Sequence, residues 1–317
     1  MSESMRVAVL DLGTNTFNLI IAEKNEKVSY RILHNSKLPV KLGEKGINEG
    51  EIAQPAFDRG VEAVKSHFTT ISKFKAGKIM AFGTSALRTT RNGNQFINTI
   101  KDITGIDIEI ITGDKEAELI YYGVRQTHSM DHGKYLILDI GGGSNELIIA
   151  DKDQIFWKRS YELGIARLLE KFKPSDPIKT GEIDEIKKYL SDELIDLREQ
   201  VNLHRVKSLI GASGSFETFV SMIRSENIED QTRSSLFPRS ISIAYKDFTA
   251  LYEKLIRSTI VERTTMKGLE PMRIEMIVLS CLFVKYILDT LNLKEIFQSN
   301  FALKEGAIYQ LFNEKSR

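Results

Sequence analysis

Two short apolar segments, one near the start of the chain and one near its middle, have the same organisation. Val7–Leu10 and Leu136–Leu138 are each followed directly by an aspartate. A turn of small residues and a second apolar run come next in both places, which is typical of a β-hairpin at one edge of a sheet. The pattern therefore predicts two hairpins, Val9–Ala22 and Ile137–Ala150.

The remaining pattern of apolar and polar positions predicts two α/β halves joined by a polar linker. The first half is predicted to contain a long helix, a strand, a helix, a strand and a helix over Ile52–Phe74, Lys78–Phe82, Gln95–Thr104, Asp107–Ile111 and Asp114–Arg125. After the linker 126–133, the second half is predicted to contain a helix, a strand and four helices over Ile183–Leu197, Val206–Ile210, Phe216–Arg224, Tyr245–Arg257, Arg273–Leu291 and Leu303–Phe312.

The two hairpins are copies of one another. A constant offset places Asp11 on Asp139 and Gly13 on Gly141, and the tetrad Leu-Ile-Ile-Ala closes both segments. Two copies so far apart indicate duplicated domains rather than a solenoid. One such hairpin would be an ordinary β-turn with a polar tip, but two favour a clamp for a phosphate chain across a cleft.

The turns carry the residue types that a phosphate site needs. Glycine at position 13 and at positions 141–143 has no Cβ, so a phosphate can approach the backbone N–H groups closely. Thr14, Thr16 and Ser144 add hydroxyl donors. An aspartate beside such a turn is suited to hold a divalent cation, directly or through water.

Composition limits the class of protein. The chain has 317 residues, 42% hydrophobic and 27% charged, which suits two domains of roughly 100–200 residues each. The net charge of +1 gives no indication of a nucleic-acid or membrane partner. Cys281 is the single cysteine, and the apolar run 276–284 around it is shorter than the roughly 20 residues that span a bilayer. With no apolar signal segment at the N-terminus, we expect a soluble cytoplasmic protein.

Two further loops place charged residues after predicted strands. Arg88, close to a strand end, is a candidate for a phosphate contact through its guanidinium fork. Asp114, Glu116 and Glu118 lie at the start of a predicted helix. Hydrolysis of a phosphoanhydride needs a carboxylate that orients and deprotonates water, but the pattern alone does not choose among these three.

Taken together and in order, four segments resemble the exopolyphosphatase/guanosine-pentaphosphate phosphatase (Ppx/GppA) family of the actin-like superfamily. They are Leu10–Phe17, Thr84–Arg88, Ile111–Tyr121 and Leu138–Glu146, and Ala302–Tyr309 is similar to the family's closing helix. The resemblance implies an α/β fold with two ribonuclease-H-like (actin-like ATPase) domains that face a central cleft. It places these domains at 1–126 and 127–317, with a helix at about 301–314 packed back on the first.

The resemblance also implies roles for individual residues. It makes Glu116 the catalytic base and makes Asp139 and Glu146 ligands of Mg²⁺ (or Mn²⁺), with Asp11 as the equivalent aspartate of the first hairpin. Arg88 is expected to meet the phosphate end of the substrate. The expected phosphate-binding residues lie in the two turns and are Gly13, Thr14, Asn15, Thr16, Gly141, Gly142, Gly143 and Ser144.

The chain departs from the family pattern at several positions. Asn18, Lys304, Glu275 and Ser215 stand where the family has a histidine or basic residue, an arginine, an aspartate and a threonine. These differences bear on substrate preference more than on the chemistry. The longer relatives also carry a helical C-terminal module, so this chain resembles the short members, in which a long polyphosphate channel is expected to be reduced or built across a homodimer.

These features favour an exopolyphosphatase, in which water attacks a terminal phosphoryl group held by magnesium, the two turns and Arg88. Guanosine pentaphosphate is the alternative substrate, and polyphosphate is preferred because the sequence contains no evident guanine pocket. The alternative of another class is an ATP-binding actin-like scaffold. A third glycine turn, 211–214, follows the predicted strand Val206–Ile210. An adenine site there calls for a Gly-Gly-type opening, whereas Ala212 and Ser213 carry two Cβ atoms.

Overall fold

The computed structural model describes residues 5–212, 214–226 and 240–313, which form two β-sheets and their helices. The first sheet contains β1 Arg6–Leu12, β2 Thr16–Asn25, β3 Ser29–Pro39, β4 Lys78–Gly83 and β5 Ile108–Ile110. The helices of this half, which we call the N-terminal lobe, are α1 Gln54–Phe74, α2 Ser85–Thr89, α3 Gly93–Thr104 and α4 Gly113–Val124.

The second sheet and the helices α5–α11 form the C-terminal lobe. Its strands are β6 Tyr135–Ile140, β7 Asn145–Ala150, β8 Ile155–Tyr161, β9 Ser208–Ala212, β10 Ile241–Ile243 and β11 Glu295–Gln298. Its helices are α5 Ile165–Phe172, α6 Thr180–Glu193, α7 Ile195–His204, α8 Gly214–Glu226, α9 Tyr245–Ile256, α10 Ile260–Arg263 and α11 Ile277–Thr290. A last helix, α12 Leu303–Asn313, follows β11.

The two sheets repeat one topology. The first has the order β3-β2-β1-β4-β5, and the second has β10-β11-β9-β6-β7-β8. In both, the first three strands are antiparallel neighbours, and two later strands run parallel to the first, which gives the ribonuclease-H-like order. These parallel strands are β4 and β5 in the first sheet and β9 and β11 in the second. The second sheet adds β10 at its edge. The duplicated α/β architecture predicted from the repeated hairpins is confirmed, as is the actin-like fold that the family resemblance implied.

A pair of helices, α4 and α12, lies between the two sheets and forms the middle layer. The two helices approach so closely that a Cβ on Gly306 would lie 1.8 Å from the carbonyl oxygen of Leu119, and a Cβ on Gly123 would lie 2.0 Å from that of Ala302. The backbones are therefore in direct contact. Position 314 of the predicted closing helix lies outside the described residues.

Both sheets are buried on both faces, which explains why their central strands appear as continuous apolar runs. Along β1, Val7 and Val9 pack into the middle layer, whereas Ala8 and Leu10 pack on the other face against the outer helices. The same alternation continues along β6. It has a functional consequence, because it decides to which side the aspartate at each strand end points.

Two predicted helix boundaries were wrong. The helix predicted over Ile183–Leu197 is two helices, separated at Leu194, where φ is −111° and ψ is 27°. Leu194 is buried and continues the apolar stripe, so the periodicity gives no sign of the break. The helix predicted over Arg273–Leu291 begins only at Ile277, because a 3₁₀ turn over Pro271–Arg273 precedes it. The pattern did not reveal β3, β8, β10, β11 or α5.

The most apolar helix, α11, is a core helix of the C-terminal lobe. Eleven of its fourteen residues are buried, including Cys281, and burial raises the pKa of that thiol. No helix in the described part of the chain combines the length and the apolar character that a membrane crossing requires.

The contact between α4 and α12 gives a stability prediction. Gly306→Ala inserts a methyl group against a backbone carbonyl, so we expect it to lower the free energy of unfolding by about 1–3 kcal/mol, measured by urea denaturation. Gly181→Ala is the matched control, because a Cβ there meets no atom within 4 Å. We expect this control to be neutral or stabilising by up to about 1 kcal/mol. Equal effects of the two substitutions would contradict the close helix contact.

Candidate active site

The ends of the two hairpins meet in one cavity between the sheets. Asp11 shares the face of Val9, and Asp139 shares the face of Ile137, so both aspartates point toward the middle layer. Both line a cavity of about 310 Å³. The two repeated hairpins therefore open onto the same space.

The two glycine turns have the same backbone geometry. Gly13 N–H donates to the carbonyl of Thr16, and Gly141 N–H donates to that of Ser144, in both cases over 3.1 Å. The registers match too, since Asp11 lies opposite Asn18 in the first hairpin just as Asp139 lies opposite Glu146 in the second.

The turns face each other at close range. A Cβ on Gly142 would lie 2.5 Å from the side-chain amide carbon of Asn15, and a Cβ on Gly143 would lie 2.5 Å from Thr14 Oγ1. Real Cβ atoms do not approach other atoms so closely. Glycine is therefore required here by space, because the opposite turn occupies the place of any side chain.

The carbonyl groups at the turn tips are used by the neighbouring backbone. Thr14 O accepts from the N–H of Gly43, and Asn15 O accepts from those of Val40 and Lys41. The carbonyls of residues 141–143 accept from the N–H groups of residues 164–166, at the start of α5. Within the described ranges, the N–H groups of residues 14, 15 and 142–144 have no acceptor. Each turn thus presents unpaired N–H groups, as an anion-binding loop does.

Three buried polar side-chain atoms at the same place also have no partner among the described residues. They are Thr14 Oγ1, Asn15 Oδ1 and Ser85 Oγ. Leaving one such atom unpaired costs about 1–3 kcal/mol. A ligand or water that supplies oxygens and protons to these groups removes that cost.

Helix α4 begins at the cavity wall and carries Glu116 in its first turn. Glu116 Oε2 accepts a hydrogen bond from Arg88 Nη1 at 3.1 Å, and the same nitrogen donates to the carbonyl of Ile111 at 2.8 Å. Burial and the nearby Glu146 raise the pKa of Glu116 well above its usual range, although Arg88 acts in the opposite direction. A raised pKa makes the carboxylate a stronger base.

Two more carboxylates of the wall accept hydrogen bonds from neutral groups. Asp11 Oδ2 accepts from Asn18 Nδ2 at 3.0 Å, and Glu146 Oε1 accepts from the hydroxyls of Ser144 and Ser160 at 2.7 Å each. Burial raises the pKa of Asp11 to about 6, while the Asn18 hydrogen bond acts against this rise. Burial also raises the pKa of Glu146. The cavity therefore favours a cation among these groups.

The donor set fits a magnesium ion that shares its ligands with a substrate. Over the described ranges, no three acidic, histidine or cysteine side chains are close enough to hold one metal ion by themselves. Mg²⁺ commonly keeps several waters and binds through one or two carboxylates plus substrate phosphates. The carboxylates and the unpaired oxygen of Asn15 suit that mode, and the assignment of Asp11, Asp139 and Glu146 as ligands stays a prediction.

All but one of the predicted site residues line this cavity. The predicted residues that line it are Asp11, Gly13, Thr14, Asn15, Thr16, Glu116, Asp139, Gly141, Gly142, Gly143, Ser144 and Glu146. Arg88 does not line it, because its guanidinium lies behind Glu116. Its direct contact with a phosphate stays a prediction. The third turn contributes Gly214 and Glu217 to the wall, and Ser213 lies outside the described residues.

Sequence reasoning missed a buried arginine that joins the lobes. The guanidinium of Arg167, on α5, donates to the carbonyl of Gly143 at 2.9 Å, to that of Ile47 at 3.0 Å and to Thr89 Oγ1 at 2.8 Å. It therefore links the second glycine turn to two segments of the N-terminal lobe. No local motif marks it, since α5 itself was not predicted.

Three cationic side chains bring positive charge to the cavity wall, namely Lys37, Arg273 and Lys304. Lys304 lies on the middle-layer helix α12 and donates to the buried Glu305 at 2.8 Å. It was noted in the sequence only as a departure from the family pattern. No local sequence motif marks Lys37 or Arg273 as a cavity residue, because their positions depend on how the lobes meet.

Comparison with known proteins agrees with this arrangement. Exopolyphosphatase 1 of Mycobacterium tuberculosis is 24% identical over 312 residues, which cover 98% of this chain and 90% of the relative. The crystal structure of an exopolyphosphatase from Cytophaga hutchinsonii has 34% identity and a TM-score of 0.93 and covers 98% of both chains. The Ppx/GppA enzyme of Aquifex aeolicus shares the fold, with 22% identity, a TM-score of 0.77 and coverage of 96% and 99%. The family model matches residues 20–315, so the chain belongs to the Ppx/GppA phosphatase family.

Proposed function

We propose that this protein releases terminal phosphate from inorganic polyphosphate by in-line attack of water. Family membership makes the chain a hydrolase of phosphoanhydride bonds. This membership also favours the hydrolase over the ATP-binding scaffold. The exopolyphosphatase names of the relatives from Mycobacterium tuberculosis and Cytophaga hutchinsonii support polyphosphate as the substrate.

The observation that carries the choice of substrate is the make-up of the cavity wall. It combines two opposed turns that present unpaired N–H groups with hydroxyl, amide and charged side chains. Within the described residues, no aromatic side chain lines the cavity. Because nucleobases are commonly held on aromatic rings, this wall supports polyphosphate over guanosine pentaphosphate.

Glu116 is proposed as the general base. The terminal phosphoryl group lies in the cavity beside the two turns, whose N–H groups stabilise the negative charge on its oxygens. Glu116 then orients a water molecule and accepts its proton as the water oxygen attacks phosphorus, while the bond from phosphorus to the bridging oxygen breaks and the shortened polyphosphate chain leaves with that oxygen. Arg88 holds the carboxylate in place from behind.

Magnesium is proposed as the cofactor, held by two or more of Asp11, Asp139 and Glu146 together with substrate oxygens. When bound, it neutralises phosphate charge. The carboxylates would otherwise repel a polyanion, so their presence beside a phosphate site supports a cation between them.

Removing the base should abolish most of the activity. We expect Glu116→Gln to reduce kcat for phosphate release from polyphosphate by about 10²–10⁴-fold, with little change in KM, because the amide keeps the size of the side chain. Glu118→Gln, which alters the same helix away from the cavity wall, is the control. Full activity in Glu116→Gln would rule out this assignment.

The pH profile should report the environment of Glu116. The base must be ionised, so kcat/KM is expected to rise with pH through a pKa above the usual glutamate range. Arg88 lowers this pKa, and Arg88→Gln should therefore move the acidic limb of the profile to higher pH. A profile that stays in place in Arg88→Gln would show that Arg88 does not act on the base.

Magnesium binding can be tested without activity. Mg²⁺ should raise the thermal midpoint of the metal-free protein, since a ligand at about 100 times its Kd adds about 2.7 kcal/mol. Asp11 has a pKa raised to about 6 by burial, so its ionised form costs folding stability at neutral pH. Asp11→Asn should therefore stabilise the metal-free protein, by on the order of 1–3 kcal/mol, and reduce the gain from Mg²⁺. An unchanged Mg²⁺ gain would exclude Asp11 as a ligand.

A further inference from the structure

Ion pairs join the two lobes at the cationic side of the cavity. Lys37, on β3, donates to Glu270 Oε1 at 2.6 Å and lies 4.0 Å from Glu217 Oε2. Arg273 donates through Nε to the other oxygen of Glu270 at 3.2 Å. Glu270 therefore bridges one cation from each lobe, and both cations line the cavity.

A second inter-lobe ion pair lies further along the same segment. Lys41, four residues beyond Lys37, donates to Glu275 Oε2 at 2.6 Å. Lys41 and Arg273 line a small cavity that also contacts Asn15 and Gly141 of the two glycine turns. Cations paired to carboxylates thus run outward from the turns along the boundary between the lobes.

These ion pairs contribute little to stability, and their carboxylates can be displaced easily. The side chains of Lys37, Glu270 and Glu217 are 33%, 35% and 43% exposed. Pairs with this exposure contribute about 0–1 kcal/mol. A single carboxylate on such a cation is displaced at low cost by a ligand that brings several linked negative charges.

The position of Arg273 is fixed independently of its ion pair. A Cβ on Gly214 would lie 1.8 Å from Arg273 Nη2, so the guanidinium rests directly on the first residue of α8. Its Nη1 also lies 3.4 Å from Ser215 Oγ. Releasing Glu270 therefore leaves a cation already oriented at the cavity wall.

We propose that Glu270 acts as an internal substitute for phosphate, and that the polyphosphate chain behind the terminal phosphate displaces it from Lys37 and Arg273. This inference rests on the proposed function and extends it to the path of the remaining chain. Lys37 is then a specificity-determining residue for chain length. Glu270 competes with the substrate and weakens its binding.

Substitution of Lys37 and substitution of Glu270, the two partners of one ion pair, are predicted to change KM in opposite directions. This difference is the test of the proposal. We expect Lys37→Gln to raise KM for long-chain polyphosphate about three- to tenfold, and to raise KM for tripolyphosphate less. We expect Glu270→Gln to lower KM for long-chain polyphosphate about two- to fivefold, because both cations become available. In both variants kcat should stay within about twofold.

Lys65→Gln is the matched control. It removes the same charge and breaks a more exposed ion pair, with Glu62 on α1, away from the cavity. Its KM values should equal those of the wild type. Chain-length dependence is measured by phosphate release from tripolyphosphate and long-chain polyphosphate at constant ionic strength.

The outcomes separate this inference from the proposed function. If Lys37–Glu270 only clamps the lobes together, both substitutions break the same clamp and change KM in the same direction, which overturns the inference. Unchanged KM values in both variants overturn it as well. If the wild-type protein releases no phosphate from polyphosphate of any length, the proposed function itself fails.

Discussion

This site depends on one electrostatic constraint, which is that several negative charges must be held close together in a small volume. Five carboxylates line a cavity that the proposed function fills with a polyanion, and four of them, Asp11, Glu116, Asp139 and Glu146, belong to the proposed catalytic and metal site. Burial raises the free-energy cost of ionising these carboxyl groups, and the pKa values of Asp11, Glu116 and Glu146 are accordingly raised. The backbone N–H groups of the two turns, the proposed magnesium ion and the cations of the wall each offset part of this cost.

The two duplicated hairpins have the same backbone geometry but carry different charges. Both turns have the same hydrogen bond across the tip, and both aspartates occupy the same register. The residue opposite the aspartate differs, however, since the first hairpin has the neutral Asn18 and the second has the ionisable Glu146. The first hairpin can therefore support its aspartate with an amide, while the second adds another negative charge.

A feature could be predicted from the sequence where the residues that determine it lie close together along the chain. The hairpins were predictable because both faces of β1 and β6 are buried and because the motif occurs twice. Glu116 needed the family resemblance, since an acidic residue in the first turn of a helix is common for electrostatic reasons alone. The bridge from Lys37 to Glu270 could not be predicted, because its residues are far apart in sequence and meet only where the lobes do. Whether the polyphosphate channel is reduced or built across a homodimer, the two alternatives that follow from the resemblance to the short family members, stays a prediction.

The middle layer has a consequence for biosynthesis. Helix α4 leaves the ribosome early, but α12, which lies against it through Gly306, is translated only after the whole second sheet. Domains generally fold in the order in which they are made. The N-terminal half must therefore persist during translation with one apolar side of α4 uncovered, and the nascent chain is most exposed to aggregation before Leu303 and its neighbours emerge.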